Sequence, residues 1–256
     1  IIDAALSCDT YGGLGGAIFA ASGAQALLNG VVVKSNIARR GDCTGFESVD
    51  RHPIGGAFLT KGDNTVLTVI NSIITENGGG KTSSIIDTSH DAMVNIIQST
   101  IHNNPSISIN RAPVLFDASY GFHLKIINSI IDEEGEHNKI HMFGGQGSKF
   151  ESHCTLTNDI NIETSSNLEV FRNSQAYIGE PKFIDPSNGD FNLSLNSDAI
   201  DRCYTSDLNQ LDVNIDSTFD LNNNSRPIVM ESSGSPLDIG ALEYNDGSMP
   251  LLSDLE

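Results

Sequence analysis

The sequence predicts an all-β chain: a right-handed parallel β-helix, or solenoid, closed by an irregular C-terminal cap. Three observations carry that prediction. A short motif recurs as Thr68-Val69-Ile70-Asn71-Ser72-Ile73-Ile74, Asn95-Ile96-Ile97-Gln98-Ser99-Thr100-Ile101 and Lys125-Ile126-Ile127-Asn128-Ser129-Ile130-Ile131. Its shifts are 27 residues from Ser72 to Ser99 and 30 from Ser99 to Ser129, a period that marks stacked repeats. Each copy is preceded by a further short apolar run, and runs this short are stable only when paired with their equivalents above and below. Parallel pairing needs a long crossover, which the rest of each coil supplies, and right-handed crossovers are the favoured sense.

The chain divides into coils over residues 1–176 and a capping region over 177–256. Residues 12–40 read as one coil, because Gly15-Gly16-Ala17-Ile18-Phe19 is similar to Gly55-Gly56-Ala57-Phe58-Leu59 and Val31-Val32-Val33 takes the place of the Asn-Ser motif. Residues 38–54 are polar and read as an inter-coil loop. Ungapped alignment sets Ser83–Val94 over Pro113–Leu124, and Gly56–Thr60 over Ser83–Asp87. It predicts a core ladder of Ile70, Ile97 and Ile127, with Val69, Ile96 and Ile126 either beside it or facing out. Ser72, Ser99 and Ser129 would form a polar column at a bend, next to an amide column of Asn71, Gln98 and Asn128 bonded along the axis. After Ile131 the repeat weakens. Asp132-Glu133-Glu134-Gly135-Glu136 reads as a solvated acidic loop, Cys154–Ile160 as a fainter copy, and 161–176 as polar and poor in strands.

The chain carries 14 Lys and Arg against 33 Asp and Glu, a net charge of −19. Such a surface repels nucleic acid and anionic lipid, so neither is an expected partner. The apolar runs are too short to span a bilayer. The opening Ile1-Ile2-Asp3 shows no signal peptide and reads as the interior of a longer protein. Cys8, Cys43, Cys154 and Cys203 lack zinc-ligand spacing. Of three possible connectivities, Cys8–Cys43 would clip neighbouring coils and Cys154–Cys203 would tie the last coil to the tail; free buried thiols are the alternative.

The tail is more specific. Asn188-Gly189 reads as a tight turn between two short strands, and Arg226 with Asp238 as a pair fixing the closing strand. Phe183, Phe191, Leu193 and Ile200 would plug the last coil, covering the open end of a solenoid. The run from Pro181-Lys182-Phe183-Ile184-Asp185-Pro186 through Gly189-Asp190-Phe191-Asn192-Leu193 to Ser197-Asp198-Ala199-Ile200-Asp201, then Arg226, then Asp238-Ile239-Gly240-Ala241-Leu242-Glu243-Tyr244, resembles the ending of the choice-of-anchor Q family of secreted bacterial β-helix proteins. Asp198 stands where that family usually has Pro, and Arg202-Cys203 where Gly often follows. The resemblance implies a pectin-lyase-like β-helix, export, and a surface-attached or released protein, and it brings no catalytic residues.

Candidate chemistry gathers on one stretch. Asp87 and Asp117 align in adjacent coils, with Thr60 in the same column below. Two carboxylates one strand spacing apart either raise a pKa or bind a cation between them, so they are the candidate calcium ligands and a candidate acid/base pair for sugar chemistry. His90, His123 and Lys125 are the other catalytic candidates, and Asp91, Arg111 and Tyr120 could line the same groove. Asp207, Asp212, Asp216 and Asp220 do not match a calcium loop and read as a loop. The expectation is a non-catalytic extracellular or cell-surface scaffold, adhesin-like or carbohydrate-binding, with polysaccharide or host glycan as partner. The alternative is a polysaccharide lyase or glycoside hydrolase acting in a surface groove.

Overall fold

The computed structural model describes residues 15–38, 55–78, 85–105, 115–119, 121–133, 139–143, 147–158, 161–164, 169–172, 177–204, 219–226 and 236–244. Each coil contributes three strands. The first holds β1 (Ile18–Ala21), β2 (Gln25–Asn29) and β3 (Val32–Lys34); the second β4 (Phe58–Lys61), β5 (Val66–Ile70) and β6 (Ile73–Thr75). The third holds β7 (Ile86–Ser89), β8 (Met93–Ile97) and β9 (Thr100–His102); the fourth β10 (Phe116–Ser119), β11 (His123–Ile127) and β12 (Ile130–Asp132). The fifth holds β13 (Lys139–Phe143), β14 (Lys149–His153) and β15 (Leu156–Thr157); the sixth β16 (Asn161–Thr164), β17 (Glu169–Arg172) and β18 (Tyr177–Ile178). Equivalent strands pair in parallel, so three six-stranded sheets run along the axis. The chain is a parallel β-helix.

Period-two alternation decides which side chains face inward. Leu67 and Val69, Val94 and Ile96, and Leu124 and Ile126 join the central core with Phe58, Ile86, Phe116, Ile74, Ile101 and Ile131. Ile70, Ile97 and Ile127 do stack in register, but outside the coil. They belong to a second apolar cluster, shared with Leu193, Ala199, Leu237 and Ile239 of the tail. The predicted ladder is therefore real and its placement is corrected: Val69, Ile96 and Ile126 hold the inner positions.

The bend between the second and third sheets explains the repeated motif. Asn71, Gln98 and Asn128 sit at φ of 48°, 45° and 45°, the left-handed region that amide side chains tolerate better than most. The next residue is the serine. Ser72, Ser99 and Ser129 donate to the carbonyls of Ile70, Ile97 and Ile127 at 2.6, 2.7 and 2.8 Å. The Ser72 and Ser99 backbone N–H groups donate to Oγ of Ser99 and Ser129, each at 3.2 Å. The serine column is thus a continuous polar ladder that satisfies the turn backbone. Two members of the amide column turn to the tail instead of along the axis: Asn71 Nδ2 donates to Phe219 O at 2.9 Å and Asn128 Nδ2 to Asp238 O at 3.2 Å.

Two further expectations change. Residues 161–176 carry β16 and β17, a sixth coil that the polar sequence hid because outward strand positions can be polar. The ungapped alignment slips by one residue at the second coil. Thr60 pairs with Thr88, and Leu59 lies beside Asp87, because Gly62–Thr65 is one residue longer than His90–Ala92 between the same strands.

The tail begins with a hairpin of β19 (Phe183–Asp185) and β20 (Asp190–Leu193), turned by a 3₁₀ segment that ends at Gly189 with φ of 83°. β21 (Cys203–Tyr204) and β22 (Pro236–Leu237) pair antiparallel. The described tail lies along the flank of the coils instead of plugging their end. Phe191 packs with Ile73; Phe183 and Phe191 stand edge-on to His102 of the third coil, at centroid distances of 5.6 and 5.5 Å. The outward isoleucine column accounts for this placement, since exposed it would be an apolar stripe several coils long. Cys154 and Cys203 form a disulfide with a Cα separation of 5.6 Å, tying the fifth coil to the tail. Cys8 and Cys43 lie outside the described residues.

Candidate functional site

Asp87 and Asp117 are register partners on neighbouring strands of the first sheet. Both are half-buried and both are engaged in interactions of their own. The same register continues through His141 to Glu163, two ionisable positions that the decaying repeat concealed. His90 and Asp91 form the turn into β8, exposed and each at φ of 57°. Gly121 lies under that turn, and a Cβ there would fall 2.0 Å from the Asp91 carboxylate. His123 and Lys125 stand on β11 of the second sheet, and Lys125 pairs with Glu151 at 3.2 Å. The aspartates and the basic residues therefore occupy adjacent sheets with a turn between them. Asp87 and Asp117 offer two carboxylates of the six to eight oxygens calcium takes. Among the described residues no group of three or more His, Cys, Asp or Glu gathers to hold a metal ion. Arg111, Tyr120, Glu134, Glu136, Asp207, Asp212 and Asp216 lie outside the described residues.

The outward face of the second sheet carries a polar column in register: Thr68, Asn95, Lys125 and Glu151. Asn95 Nδ2 donates to Thr68 Oγ1 at 3.2 Å, and the Lys125–Glu151 pair closes the row. Val66, Met93, His123 and Lys149 form the parallel row beside it.

The densest polar structure is one the motif search missed. Asn36, Asn77 and Asn104 follow the third-sheet strands two residues on and stack as a buried ladder. Asn77 Oδ1 accepts from Asn36 N and Nδ2, both at 3.0 Å. Asn104 Oδ1 accepts from Asn77 N and Nδ2 at 3.0 and 3.1 Å. Glu133 ends the row, its two oxygens accepting from Asn104 N and Nδ2 at 2.7 Å each. The signal was present: Asn77 and Asn104 are 27 residues apart, the shift of the first two repeats. The solvated acidic loop expected at 132–136 is thereby corrected at Asp132 and Glu133, the part of it that the structure describes. Glu133 is 5% exposed, and Asp132 Oδ2 lies 3.0 Å from His102 Nδ1.

Burial pushes the Glu133 carboxyl from the ordinary 4.5 up to about 7, against the pull of its Asn104 hydrogen bonds. A folded-state value above the unfolded one means the neutral form suits the fold. Its stabilising share is complete below pH 4.5 and is lost as pH rises through about 7. Each unit is about 1.4 kcal/mol, so the span is about 3 kcal/mol as an order of magnitude. Glu133→Gln keeps the geometry, since Asn77 and Asn104 already serve two N–H donors with one amide oxygen. Urea unfolding between pH 5 and 8 is expected to show a shallower decline in the variant; equal slopes would remove Glu133 as the cause.

One more sequence reading changes. Arg226 pairs directly with Glu243, not Asp238, and also donates to Gly240 O at 2.9 Å and Asn71 Oδ1 at 3.2 Å. Asp220 does lie in a loop, and what the sequence left unread is its burial there, where it accepts from Asn224 N at 2.7 Å and Glu243 N at 2.9 Å. No protein-family model, curated protein or solved structure matches the chain.

Proposed function

We propose that this chain is a non-catalytic β-helical scaffold, adhesin-like, that acts outside the cell or on the bacterial cell surface and binds glycan along its first two sheets. The observation that carries the reading is the polar row Thr68, Asn95, Lys125 and Glu151, which runs in register up the second sheet beside His123 and Lys149. Donors and acceptors repeated at one coil spacing, about 4.8 Å, suit a polymer that repeats hydroxyl groups along its own length. Thr68, Lys125 and Glu151 stay partly exposed, while Asn95 between them is buried. The Cys154–Cys203 bond fits an oxidising compartment. The choice-of-anchor Q resemblance of the tail points to the same place.

One observation favours the alternative, a polysaccharide lyase or glycoside hydrolase: Asp87 and Asp117 sit on adjacent strands in register, where mutual repulsion can poise one as an acid. Binding and product release should be measured together on a panel of neutral and acidic polysaccharides, with and without calcium. The scaffold reading expects binding without new chain ends, weakened at least about tenfold by Lys125→Ala, the loss of roughly one charge-assisted contact. Cleavage lost in Asp87→Asn/Asp117→Asn would establish the enzyme instead. A folded sample that binds nothing on the panel would count against both.

A further inference from the structure

Beyond glycan binding, the tail carries a device of its own. Its segments 219–226 and 236–244 reach the coils mostly through neutral groups, the charged exception being Arg226, which donates to Asn71 Oδ1. Asn71 and Asn128 donate to Phe219 O and Asp238 O, Gly240 N donates to Asn128 O at 3.0 Å, and Ala241 N to Thr100 Oγ1 at 3.1 Å. The bends beneath them, 70–73, 97–100 and 127–130, contain no ionisable side chain. The column continues on the fifth coil as His153, in register with Ile127, and the carboxylates at this contact sit in the tail.

That charge is unbalanced. Arg226, 2% exposed, is bonded to Glu243. Glu243 Oε2 accepts from Asp238 N at 3.3 Å, and Glu243 N donates to Asp220 Oδ2 at 2.9 Å. Asp238 accepts from Asp201 N at 2.8 Å and from Tyr244 N, and the Asp201 carboxylate repels it. Four carboxylates are thus linked in one cluster with a single guanidinium, which Glu243 bonds directly, and three of them are buried. We propose that these two segments are a pH-sensitive strap, clamped over the isoleucine column by this carboxylate-rich cluster, and that the strap closes more tightly on mild acidification.

The direction is set by the charges. One proton taken up between Asp238 and Glu243 relieves their mutual repulsion and leaves Arg226 a partner. Burial drives both carboxyls upward, against the pull of Arg226 and the N–H donors. Groups raised on folding contribute stability that is complete in acid and lost as pH rises through neutrality. The Cys154–Cys203 bond keeps the chain attached up to residue 203, so opening is confined to the two strap segments beyond it. Opening would uncover Ile70, Ile97 and Ile127.

Hydrogen exchange separates strap from coil. Leu221, Ile239, Gly240 and Ala241 amides report the strap; Asn71, Gln98 and Ile130 amides, bonded within the coils, serve as controls. After correction for intrinsic rates, strap protection is expected to be at least about tenfold higher at pH ~5.5 than at pH ~8, the effect of roughly one pKa unit. The control amides should change less, also in a Glu133→Gln background. Arg226→Met/Glu243→Leu removes the ion pair while keeping volume, and the ratio should fall to a few-fold. Should that variant not fold, Asp201→Asn keeps the backbone donor and the left-handed backbone, and it too should lower the ratio. Parallel changes in strap and coil, weaker strap protection in acid, or an undiminished ratio in the folded variants would overturn the proposal.

Discussion

Asn104→Ala is expected to destabilise the chain by about 4–5 kcal/mol, read as the free energy of urea unfolding at neutral pH. The side chain is a hub. Its oxygen accepts from Asn77 N and Nδ2, and its amide donates to Ile74 O at 3.1 Å, His102 O at 3.0 Å and Glu133 Oε1 at 2.7 Å. Truncation breaks five bonds and leaves most of their partners buried without replacement. A typical internal bond contributes about 1 kcal/mol, one to a charged group about 1.5–3, and an orphaned buried group costs about 1–3 more. Five such losses cannot all be additive, since the ladder relaxes, so the sum is set near the lower end. Asn104→Asp provides the control. It retains the acceptor for Asn77 but loses both N–H donors of the amide, which serve three acceptors, and sets a second carboxyl against Glu133. It should therefore be at least as damaging at pH 8 and milder at pH 5, where both carboxyls can be neutral. A loss below about 1 kcal/mol for Asn104→Ala would mean that water replaces the ladder.

The outer architecture was legible because stacking copies one chemistry from coil to coil. Ser72, Ser99 and Ser129 had to share a position, and a 27- or 30-residue shift placed them there. Facing was less legible. Both residues of each Val-Ile or Ile-Ile pair are apolar, and alternation admits only one of them inside; what makes Ile70, Ile97 and Ile127 apolar is the tail, more than 60 residues later in sequence. The same non-locality hid the cluster around Arg226. Its motif suggested Asp238 as partner, but Glu243 holds the guanidinium while Asp238 ties two backbone N–H groups. Glu133 reads as part of a charge run because its neighbours are acidic, and only the stacked Asn104 above it explains its burial. For the candidate site, register confirmed Asp87 over Asp117 and removed Thr60 from the column. One extra residue in a turn was enough to do so. His123 and Lys125 lie across a turn from the aspartates, a relation that spacing along one strand does not reveal.

Arg226→Ala is expected to cost about 3–5 kcal/mol, the usual penalty for breaking a buried ion pair from one side. The loss is greater than that of a surface pair because two buried carboxyls, Glu243 and Asp238, lose the same favourable charge. Gly240 O and Asn71 Oδ1 also lose their donor, and Asn71 is one of the points where tail and second coil meet. Arg226→Lys should recover only part of the deficit. A point charge on a straight stem cannot reproduce the planar fork that reaches Glu243, Gly240 O and Asn71 at once. Arg226→Met/Glu243→Leu should recover most of it, since removing both charges leaves no buried ion unpaired. The pH dependence supplies the decisive comparison. Without the guanidinium, the carboxyls can reach neutrality only by protonation, so the deficit of Arg226→Ala should shrink from pH 8 to pH 5. Unfolding by urea at the two pH values, monitored by far-ultraviolet circular dichroism, measures it. A deficit that is constant with pH would show that the arginine acts through its hydrogen bonds to Gly240 and Asn71 and not through the charge it balances.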